Sequence, residues 1–213
     1  MEKRIQEEID ILIKRYPVLE ECKGDIISAF EIMKNCYENG GKLLIAGNGG
    51  SAADSEHIAG ELMKRFKSPR PVQDDFADKL IAVDKNRGEK LVKNLERSLM
   101  AIPLVAHEAL TTAYINDVDG YGVFAQQLFG YGKTGDVFLG ISTSGNAENI
   151  MNAVVVAKAM GIRVIGLTGL NGGKLASVAD VTIRVPEVDT YKVQELHLPV
   201  YHALCLMLEK QFF

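Results

Sequence analysis

The chain has 213 residues, of which 47% are hydrophobic, and its formal net charge of −4 predicts a soluble globular protein rather than a basic nucleic-acid-binding one. Residues 1–16 are too charged for a signal peptide, and no apolar run reaches the roughly 18 residues of a membrane span. Its three cysteines form no C-x-x-C pair, so we expect a cytoplasmic protein with reduced thiols and without nucleic-acid or membrane partners.

The N-terminal residues 2–39 have the pattern of helices with a break near Pro17. Two apolar stripes follow helical spacing, namely Ile5, Ile9, Leu12 and Ile13, then Ile26, Ile27, Phe30 and Met33. A chain of this length is expected to leave part of these stripes uncovered, which predicts burial against another copy of the chain. The alternative is that residues 2–39 fold back on their own sheet.

A glycine-rich turn follows the first predicted strand, 42–46, and precedes a predicted helix over 51–66. Glycines at Gly47, Gly49 and Gly50 allow positive φ and a close approach of the backbone to a ligand. The turn matches a dinucleotide fingerprint weakly, but the acidic residue expected about 20 residues later is missing. We interpret this turn as a binding loop for a smaller phosphorylated ligand.

Residues 75–100 are charged and interrupt the alternation of strand and helix. The segment is predicted to be helical on either side of Gly88. Leu91, Leu95 and Leu99 fall at i, i+4 and i+8, which is typical of one helical face. We expect a surface or subunit-interface helix here, and the alternative is a lid over the site.

A second binding loop is predicted after the strand at 137–141. Ser142, Thr143 and Ser144 follow that strand directly, Gly145 comes next, and a helix begins near Ala147. The first N–H groups of a helix lack partners and its dipole favours negative charge, so this loop predicts a phosphate site. The alternative is an ordinary capped helix start. No Gly-Lys-Ser/Thr sequence is present, so this is not a Walker A loop.

Strands and helices alternate along most of the chain, which predicts a parallel sheet covered on both faces. The strands are predicted near 42–46, 102–106, 136–141, 162–168 and 181–185. The helices are predicted near 51–66, 121–131, 147–160, 172–178 and 191–211. Ligands of such sheets bind beyond the carboxyl ends of the strands, and both glycine-containing loops lie there.

A set of metal-ligating side chains falls on two predicted helices. His57 and Glu61 are four residues apart and share a face, and Gln194 and His202 lie about 80° apart around the last helix. Imidazole, carboxylate and amide oxygen are suitable ligands for zinc or a similar divalent cation. His197 is a competing ligand on the last helix, although it lies about 60° from Gln194 on the other side.

Pro199 lies inside the last predicted helix, between Gln194 and His202. Proline removes one backbone hydrogen bond and is expected to kink the helix, at a cost of about 3 kcal/mol unless compensated. The kink either has no functional role and is tolerated by the fold, or it orients the side chain of His202.

Five segments carry a resemblance to a known family, namely GNGGSAADSEHIAGEL, Asn116-Asp117, GDVFLGISTSGN, LTGLNGGKL and QELHLPVYH. With these segments the chain resembles the phosphoheptose isomerase family of sugar isomerase (SIS) domain proteins, which act on sedoheptulose 7-phosphate. The resemblance covers nearly the whole chain apart from residues 75–100. It implies a single SIS domain over 1–213. The implied fold is an α/β three-layer sandwich with a five-stranded parallel sheet, flavodoxin-like or Rossmann-like, plus N-terminal helices.

The resemblance also implies roles for particular residues. It implies an acid–base pair, Glu61 and His202, and one zinc ion held by His57, Glu61, Gln194 and His202. The substrate-binding residues that it implies are Asn48, Gly49, Gly50, Ser51, Glu61, Asn116, Asp117, Ser142, Thr143, Ser144 and Gln194. The implied assembly is a homotetramer with active sites between subunits, and the implied ligand is a phosphorylated sugar.

The chain departs from the family pattern in three places. Ala147 stands where several members have a further phosphate-binding serine, residues 75–100 are longer than usual, and Pro199 replaces a residue compatible with a helix. A related non-catalytic class binds a phosphosugar or the bacterial replication initiator instead, and the initiator-binding members typically lack the second histidine. The presence of His202 together with Glu61 and Gln194 favours the isomerase.

Overall fold

The computed structural model describes residues 2–213, and a five-stranded parallel sheet lies at its centre. Its strands are β1 (Leu43–Ala46), β2 (Ala101–Pro103), β3 (Val137–Ile141), β4 (Arg163–Thr168) and β5 (Val181–Arg184). The strand order is β2-β1-β3-β4-β5, with every neighbouring pair parallel. This confirms the predicted fold class, and the order is the flavodoxin-like one, whose connections reverse direction between β1 and β3.

Ten α-helices surround this sheet in the described part of the chain. They are α1 (Lys3–Arg15), α2 (Lys23–Glu38), α3 (Gly50–Met63), α4 (Asp74–Val83), α5 (Lys85–Asn94), α6 (Glu108–Asp117), α7 (Val123–Tyr131), α8 (Glu148–Ala159), α9 (Gly173–Val178) and α10 (Thr190–Phe212). None of the helices within residues 2–213 combines the length and apolarity needed to cross a membrane.

The two faces of the sheet carry separate cores because successive side chains of a strand point to opposite faces. On β1, Leu43 and Ile45 pack with residues of α1, α2, α3 and α10, whereas Leu44 packs with residues of α7, α8 and α9. All five residues of β3 are buried. The continuous apolar runs that predicted these strands are therefore those of a sheet covered on both sides.

The chain itself covers most of the two N-terminal stripes, and of their eight residues Ile13 and Ile27 stay partly exposed. Ile5, Ile9 and Leu12 are at most 4% exposed, and α1 packs along α10. The stripe on α2 is likewise buried through Ile26 and Phe30. The alternative, that this segment folds back on its own sheet, is the observed arrangement.

The insertion is a helical hairpin of α4 and α5, but its break falls at Asp84 and not at Gly88. Gly88 lies inside α5, where a Cβ atom would come within 2.5 Å of the Leu80 carbonyl oxygen, so glycine permits the close packing of the two helices. The helix ends at Asn94, and Leu99 is 7% exposed in the core beyond it. The single leucine stripe predicted across residues 91–99 was therefore wrong.

Two further differences concern helices. The structure contains α6 (Glu108–Asp117), which the sequence did not predict, and β2 is correspondingly shorter than the predicted strand 102–106. The last helix, α10, continues from Thr190 to Phe212 through a buried Pro199. Gln194 and His202 therefore lie on one uninterrupted helix.

Candidate active site

The loops after β1 and β3 meet at the point where the strand order reverses, which is where open α/β sheets bind ligands. The amides of Asn48 and Asn149 donate to each other, with N–O distances of 3.0 and 2.8 Å. Asn48 belongs to the glycine turn, and Asn149 lies in the first turn of α8. No sequence pattern points to Asn149, because its partner is 101 residues away.

The glycine turn places the start of α3 at this edge of the sheet. Gly49 has φ 57°, a conformation that favours glycine, and it is the residue that precedes the helix. At Gly50, a Cβ atom would lie 2.6 Å from Nε2 of Gln194, so the side-chain amide of Gln194 packs directly on this glycine. Ser51 is 3% exposed, whereas Asn48, Gly49 and Gly50 are exposed to solvent.

The loop after β3 is fixed against the loop that follows β4. Gly145 has φ 66°, and any Cβ atom there would overlap the carbonyl oxygen of Gly172. The backbone N–H of Leu175 donates to the Gly145 carbonyl at 2.9 Å, and the N–H of Gly169 donates to the Thr143 carbonyl at 3.0 Å. The start of α8 is thus rigidly placed, with the exposed Ser144 at the tip of the loop.

The predicted pair Asn116 and Asp117 is not brought to these loops by the contacts described within residues 2–213. Both residues are exposed at the end of α6, and the Asn116 amide donates to Asp117 Oδ1 at 2.8 Å. No residue of α6 (Glu108–Asp117) is buried. Their role in substrate binding stays a prediction.

The proposed acid–base and metal side chains cluster where α3 packs against α10. Nε2 of His57 lies 3.3 Å from Oε1 of Glu61, as expected for residues four apart on a helix. The ammonium group of Lys64 lies 3.1 Å from the other carboxylate oxygen. Glu61 is therefore oriented by one neighbour on each oxygen, and its side chain is only 14% exposed.

His202 joins this cluster from α10. Its ring centroid lies 5.0 Å from that of His57, and its Nε2 atom is buried without a hydrogen-bond partner in residues 2–213. Burial lowers the pKa of His202, the neighbouring His57 lowers it further, and Glu61 opposes both effects. Neutral imidazole is therefore the favoured form of His202 near neutral pH.

His202 also lines a cavity of about 200 Å³ between α1 and α10. Leu12 of α1 and Tyr16, the residue after that helix, form one wall, and Leu198 and Pro199 of α10 form the other. This cavity lies apart from the exposed loops after β1 and β3. We therefore assign the chemistry to the side-chain cluster and the loops rather than to this cavity.

Tyr201 is a member of the cluster that the sequence analysis missed. Its hydroxyl lies 2.9 Å from Nδ1 of His57, and its ring packs edge-on against both His57 and His202. Asp54 interacts with the same hydroxyl from α3; burial raises the pKa of this carboxyl, and Tyr201 partly opposes that increase. Burial and Asp54 together raise the pKa of the Tyr201 hydroxyl.

Arg70 fixes the end of α3, next to Glu61. Its guanidinium donates to the backbone carbonyls of Leu62 and Glu61, at 2.8 and 3.1 Å, and pairs with Glu209 at 2.8 Å. Both Arg70 and Glu209 are at most 1% exposed. Burial alone would raise the pKa of Glu209, but three backbone N–H groups and Arg70 outweigh it and lower the pKa.

His197, the alternative ligand on α10, is excluded from the cluster by its position. Its side chain is completely buried, and neither ring nitrogen has a hydrogen-bond partner in the described chain. Burial lowers its pKa to about 4, and the backbone of Thr168 opposes this only in part. His197 is therefore a neutral core residue at physiological pH.

The predicted zinc ligands can be compared with the spacing that the metal requires. Tetrahedral ligands at zinc bond lengths lie about 3.3 Å from one another, which is the observed separation of His57 Nε2 and Glu61 Oε1. The unpartnered Nε2 of His202 is a third donor nearby. Residues 2–213 contain no ready group of three His, Cys, Asp or Glu donors, and the Gln194 amide lies on Gly50. The donor chemistry fits zinc, although the coordination shell is not preformed.

Comparison with known proteins identifies a family with this architecture. A family model described as the SIS domain matches residues 9–101 and 91–169. The phosphoheptose isomerase of Geotalea daltonii is 38% identical over 194 residues, which cover 91% of this chain and 88% of that protein. The phosphoheptose isomerase of Sulfurimonas denitrificans is 36% identical over 216 residues, covering 100% of this chain and 97% of that protein.

Solved structures agree with these sequence matches. The phosphoheptose isomerase of Francisella tularensis superposes with a TM-score of 0.76 at 29% identity, covering 97% of this chain and 96% of that one. The phosphoheptose isomerase from Neisseria gonorrhoeae gives a TM-score of 0.71 at 31% identity, with coverage of 97% and 92%. The similarity therefore extends over nearly the full length of each chain.

Proposed function

The chain belongs to the SIS domain family and, within it, to the phosphoheptose isomerases, and we propose from this membership that it interconverts sedoheptulose 7-phosphate and D-glycero-D-manno-heptose 7-phosphate. It is a phosphosugar isomerase. The observation that supports the proposal is the cluster of His57, Glu61 and His202, together with two phosphate-type loops at the strand-order reversal.

Aldose–ketose isomerisation moves a proton between neighbouring carbons through a cis-enediol. It needs a base for the C–H proton and an acid for the carbonyl oxygen. We assign Glu61 as the base, because its side chain is only 14% exposed and Lys64 pairs with one of its carboxylate oxygens. We assign His202 as the acid, because a neutral imidazole carries one N–H that can serve the carbonyl oxygen.

The phosphate group would bind remote from the reacting carbons, at the N-termini of α3 and α8. Free backbone N–H groups and the helix dipoles favour an anion there. The Asn48–Asn149 bridge joins the two loops before substrate arrives, so less ordering is needed on binding. Binding energy from the phosphate can then position the carbons that react.

The activity can be tested on a panel of five- to seven-carbon ketose phosphates. We expect turnover of sedoheptulose 7-phosphate, with exchange of the transferred proton against solvent deuterium followed by NMR. Activity on a shorter ketose phosphate alone would correct the substrate. An absence of turnover and exchange on every sugar would contradict the isomerase and favour a non-catalytic phosphosugar-binding or initiator-binding protein.

We further propose that one zinc ion is held by His57, Glu61, Gln194 and His202. The supporting observations are the 3.3 Å spacing of the first two donors and the unpartnered Nε2 atom of His202. A bound divalent ion would supply polarisation of the carbonyl oxygen. Glutamine is not among the usual zinc ligands, so occupancy is expected to depend on preparation.

Elemental analysis of protein equilibrated with zinc is expected to give one ion per chain. His57→Asn should reduce that stoichiometry, whereas Glu56→Gln, on an exposed position of the same helix, should not. Full activity in metal-free protein after chelation would contradict a functional role for zinc.

We propose that the chain assembles as a homotetramer. The support for this comes from α4 and α6 and not from the N-terminal stripes. No residue of α4 or α6 is buried, and large apolar side chains are exposed there, including Phe76, Val83 and Ile115. Helices with exposed apolar residues are commonly covered by symmetric partners. Deleting residues 1–39 would not test this, because α1 and α2 belong to the core.

Light scattering at low micromolar concentration is expected to give the mass of four chains. Ile115→Lys, which places a charge at an exposed position of α6, should shift the mass towards smaller species without unfolding the chain. A monomeric mass together with full activity would contradict an active site shared between subunits.

A further inference from the structure

The side chains of Asp54, Tyr201 and His57 form a series in which each polar group faces the next. Asp54, His57 and Glu61 lie on one face of α3, at i, i+3 and i+7, and Tyr201 approaches them from α10. The Tyr201 hydroxyl lies 2.9 Å from Nδ1 of His57, and Asp54 on α3 is near enough to raise the pKa of this hydroxyl. Tyr201 is only 2% exposed, whereas the side chain of His57 is 43% exposed.

The hydroxyl has one proton and two neighbours, and the neighbours differ in what they can accept. An ionised carboxylate only accepts, whereas a neutral imidazole nitrogen either donates or accepts. Oδ2 of Asp54 is buried and has no hydrogen-bond partner in residues 2–213. The arrangement that serves both neighbours has the Tyr201 hydroxyl directed to Asp54 and the Nδ1–H of His57 donating to the Tyr201 oxygen.

The opposite tautomer leaves the Asp54 carboxyl without a hydrogen-bond donor. With the proton on Nε2, His57 would donate to Glu61 and Tyr201 would donate to Nδ1, so Asp54 would lose its neighbouring donor. Glu61 depends less than Asp54 on this donor, because the other carboxylate oxygen of Glu61 already accepts from Lys64 at 3.1 Å. A buried carboxylate without a donor costs more than a carboxylate that retains one.

We propose that Tyr201 is a positioning residue that fixes the tautomer of His57, so that Nε2 presents its lone pair towards Glu61. A lone pair and a carboxylate oxygen 3.3 Å apart attract a positive species between them, either a proton or a cation. This inference refines the proposed function and rests on it, because His57 needs a lone pair on Nε2 to act as a metal ligand.

The ring of Tyr201 has a second, separable role. It packs edge-on against His57 and His202, with centroid separations of 5.5 and 5.0 Å. Tyr201→Phe keeps this packing and removes only the hydroxyl, which makes it the informative variant. Tyr37→Phe is a matched control, because it removes a hydroxyl that donates to the Met100 carbonyl at 3.2 Å, away from the cluster.

The first test is the ¹⁵N NMR spectrum of the histidine rings in metal-free protein at about pH 8.5, where a histidine of ordinary pKa is neutral. The proposal expects a protonated Nδ1 on His57 in the wild type and in Tyr37→Phe, and a shift of the proton towards Nε2 in Tyr201→Phe. A proton on Nε2 in the wild type, or an unchanged tautomer in Tyr201→Phe, would overturn it.

The second test is zinc affinity, measured by competition with a chromophoric chelator. Loss of a partner that orients a metal-ligating histidine lowers affinity by roughly 10–100-fold, and we expect this for Tyr201→Phe and not for Tyr37→Phe. Equal affinities in all three proteins would overturn the link between tautomer and metal. The NMR result does not require activity, so an inactive protein with the expected tautomer would reject the proposed function and leave the role of Tyr201 intact.

Discussion

Replacing Glu61 by glutamine, or His202 by asparagine, is expected to lower kcat by roughly 10²–10⁴, the usual contribution of a positioned proton-transfer group. Glu61→Gln removes the carboxylate that accepts the C–H proton, and His202→Asn removes the imidazole that serves the carbonyl oxygen, while each variant keeps a polar side chain. Folding should survive, because Glu61 is held at the edge of the cluster and His202 Nε2 makes no hydrogen bond within residues 2–213. Steady-state kinetics on sedoheptulose 7-phosphate, with circular dichroism to verify folding, measures the effect.

Glu56→Gln is the matched control for the carboxylate, because Glu56 is exposed on the same helix as Glu61. Its kcat should equal that of the wild type. If His202→Asn keeps a near-normal kcat, His202 is not the acid. His197 does not replace it as a candidate, because its buried ring is out of reach of a substrate.

Acidification is expected to destabilise the fold through His197. Its pKa is about 4 in the folded chain, against an ordinary histidine value of 6.5, so the unfolded state binds the proton more readily. Stability is therefore complete above pH 6.5 and decreases as the pH falls towards 4. At about 1.36 kcal/mol per pH unit, the full loss is about 3 kcal/mol.

His197→Leu removes this titration and replaces a ring without hydrogen bonds in the described chain by an apolar side chain. Denaturant unfolding of both proteins between about pH 7 and pH 4 should show the wild type losing about 3 kcal/mol more than the variant. His202 titrates in both proteins and cancels in the difference. Glu209 contributes only below the ordinary glutamate pKa of 4.5, because its own pKa is lowered. Parallel stability curves for the two proteins would contradict the assignment.

The sheet and the two glycine-containing turns after β1 and β3 could be predicted because their signals are local. Apolar runs such as 137–141 are buried on both faces, and glycines at Gly49 and Gly145 have the positive φ that their turns require. The predicted strands agree with the observed strands to within one residue at most ends. The exception is β2, where only Ala101–Pro103 pairs with β1.

The structural elements that the sequence did not predict lack a local sequence pattern. No residue of α6 (Glu108–Asp117) is buried, so no apolar face marks it as a helix. Gly88 was interpreted as a break, yet it permits two helices to approach closely. The N-terminal stripes were identified correctly, but the sequence does not reveal that α10, almost 200 residues later, covers one of them.

The supporting residues of the site were missed for a similar reason. Tyr201 is 144 residues from His57, and Arg70 is 139 residues from Glu209, so neither pair has a spacing that a sequence pattern can reveal. Helical spacing grouped His57 and Glu61 on one helix and Gln194 and His202 on another as candidate metal ligands, and the family resemblance added the acid–base roles of Glu61 and His202. Tyr201 and Arg70 are recognised as orienting groups only from their contacts in the folded chain.

The helical hairpin of α4 and α5 begins and ends at a closed stem. Pro71 and Glu96 form an antiparallel bridge, and the N–H of Arg97 donates to the Arg70 carbonyl at 2.7 Å. The chain thus leaves and re-enters the domain at almost the same point. Residues 72–95 can change in length without altering the register of β2 against β1. A change in the length of this appendage would therefore alter the surface that α4 offers to another subunit and leave the sheet intact.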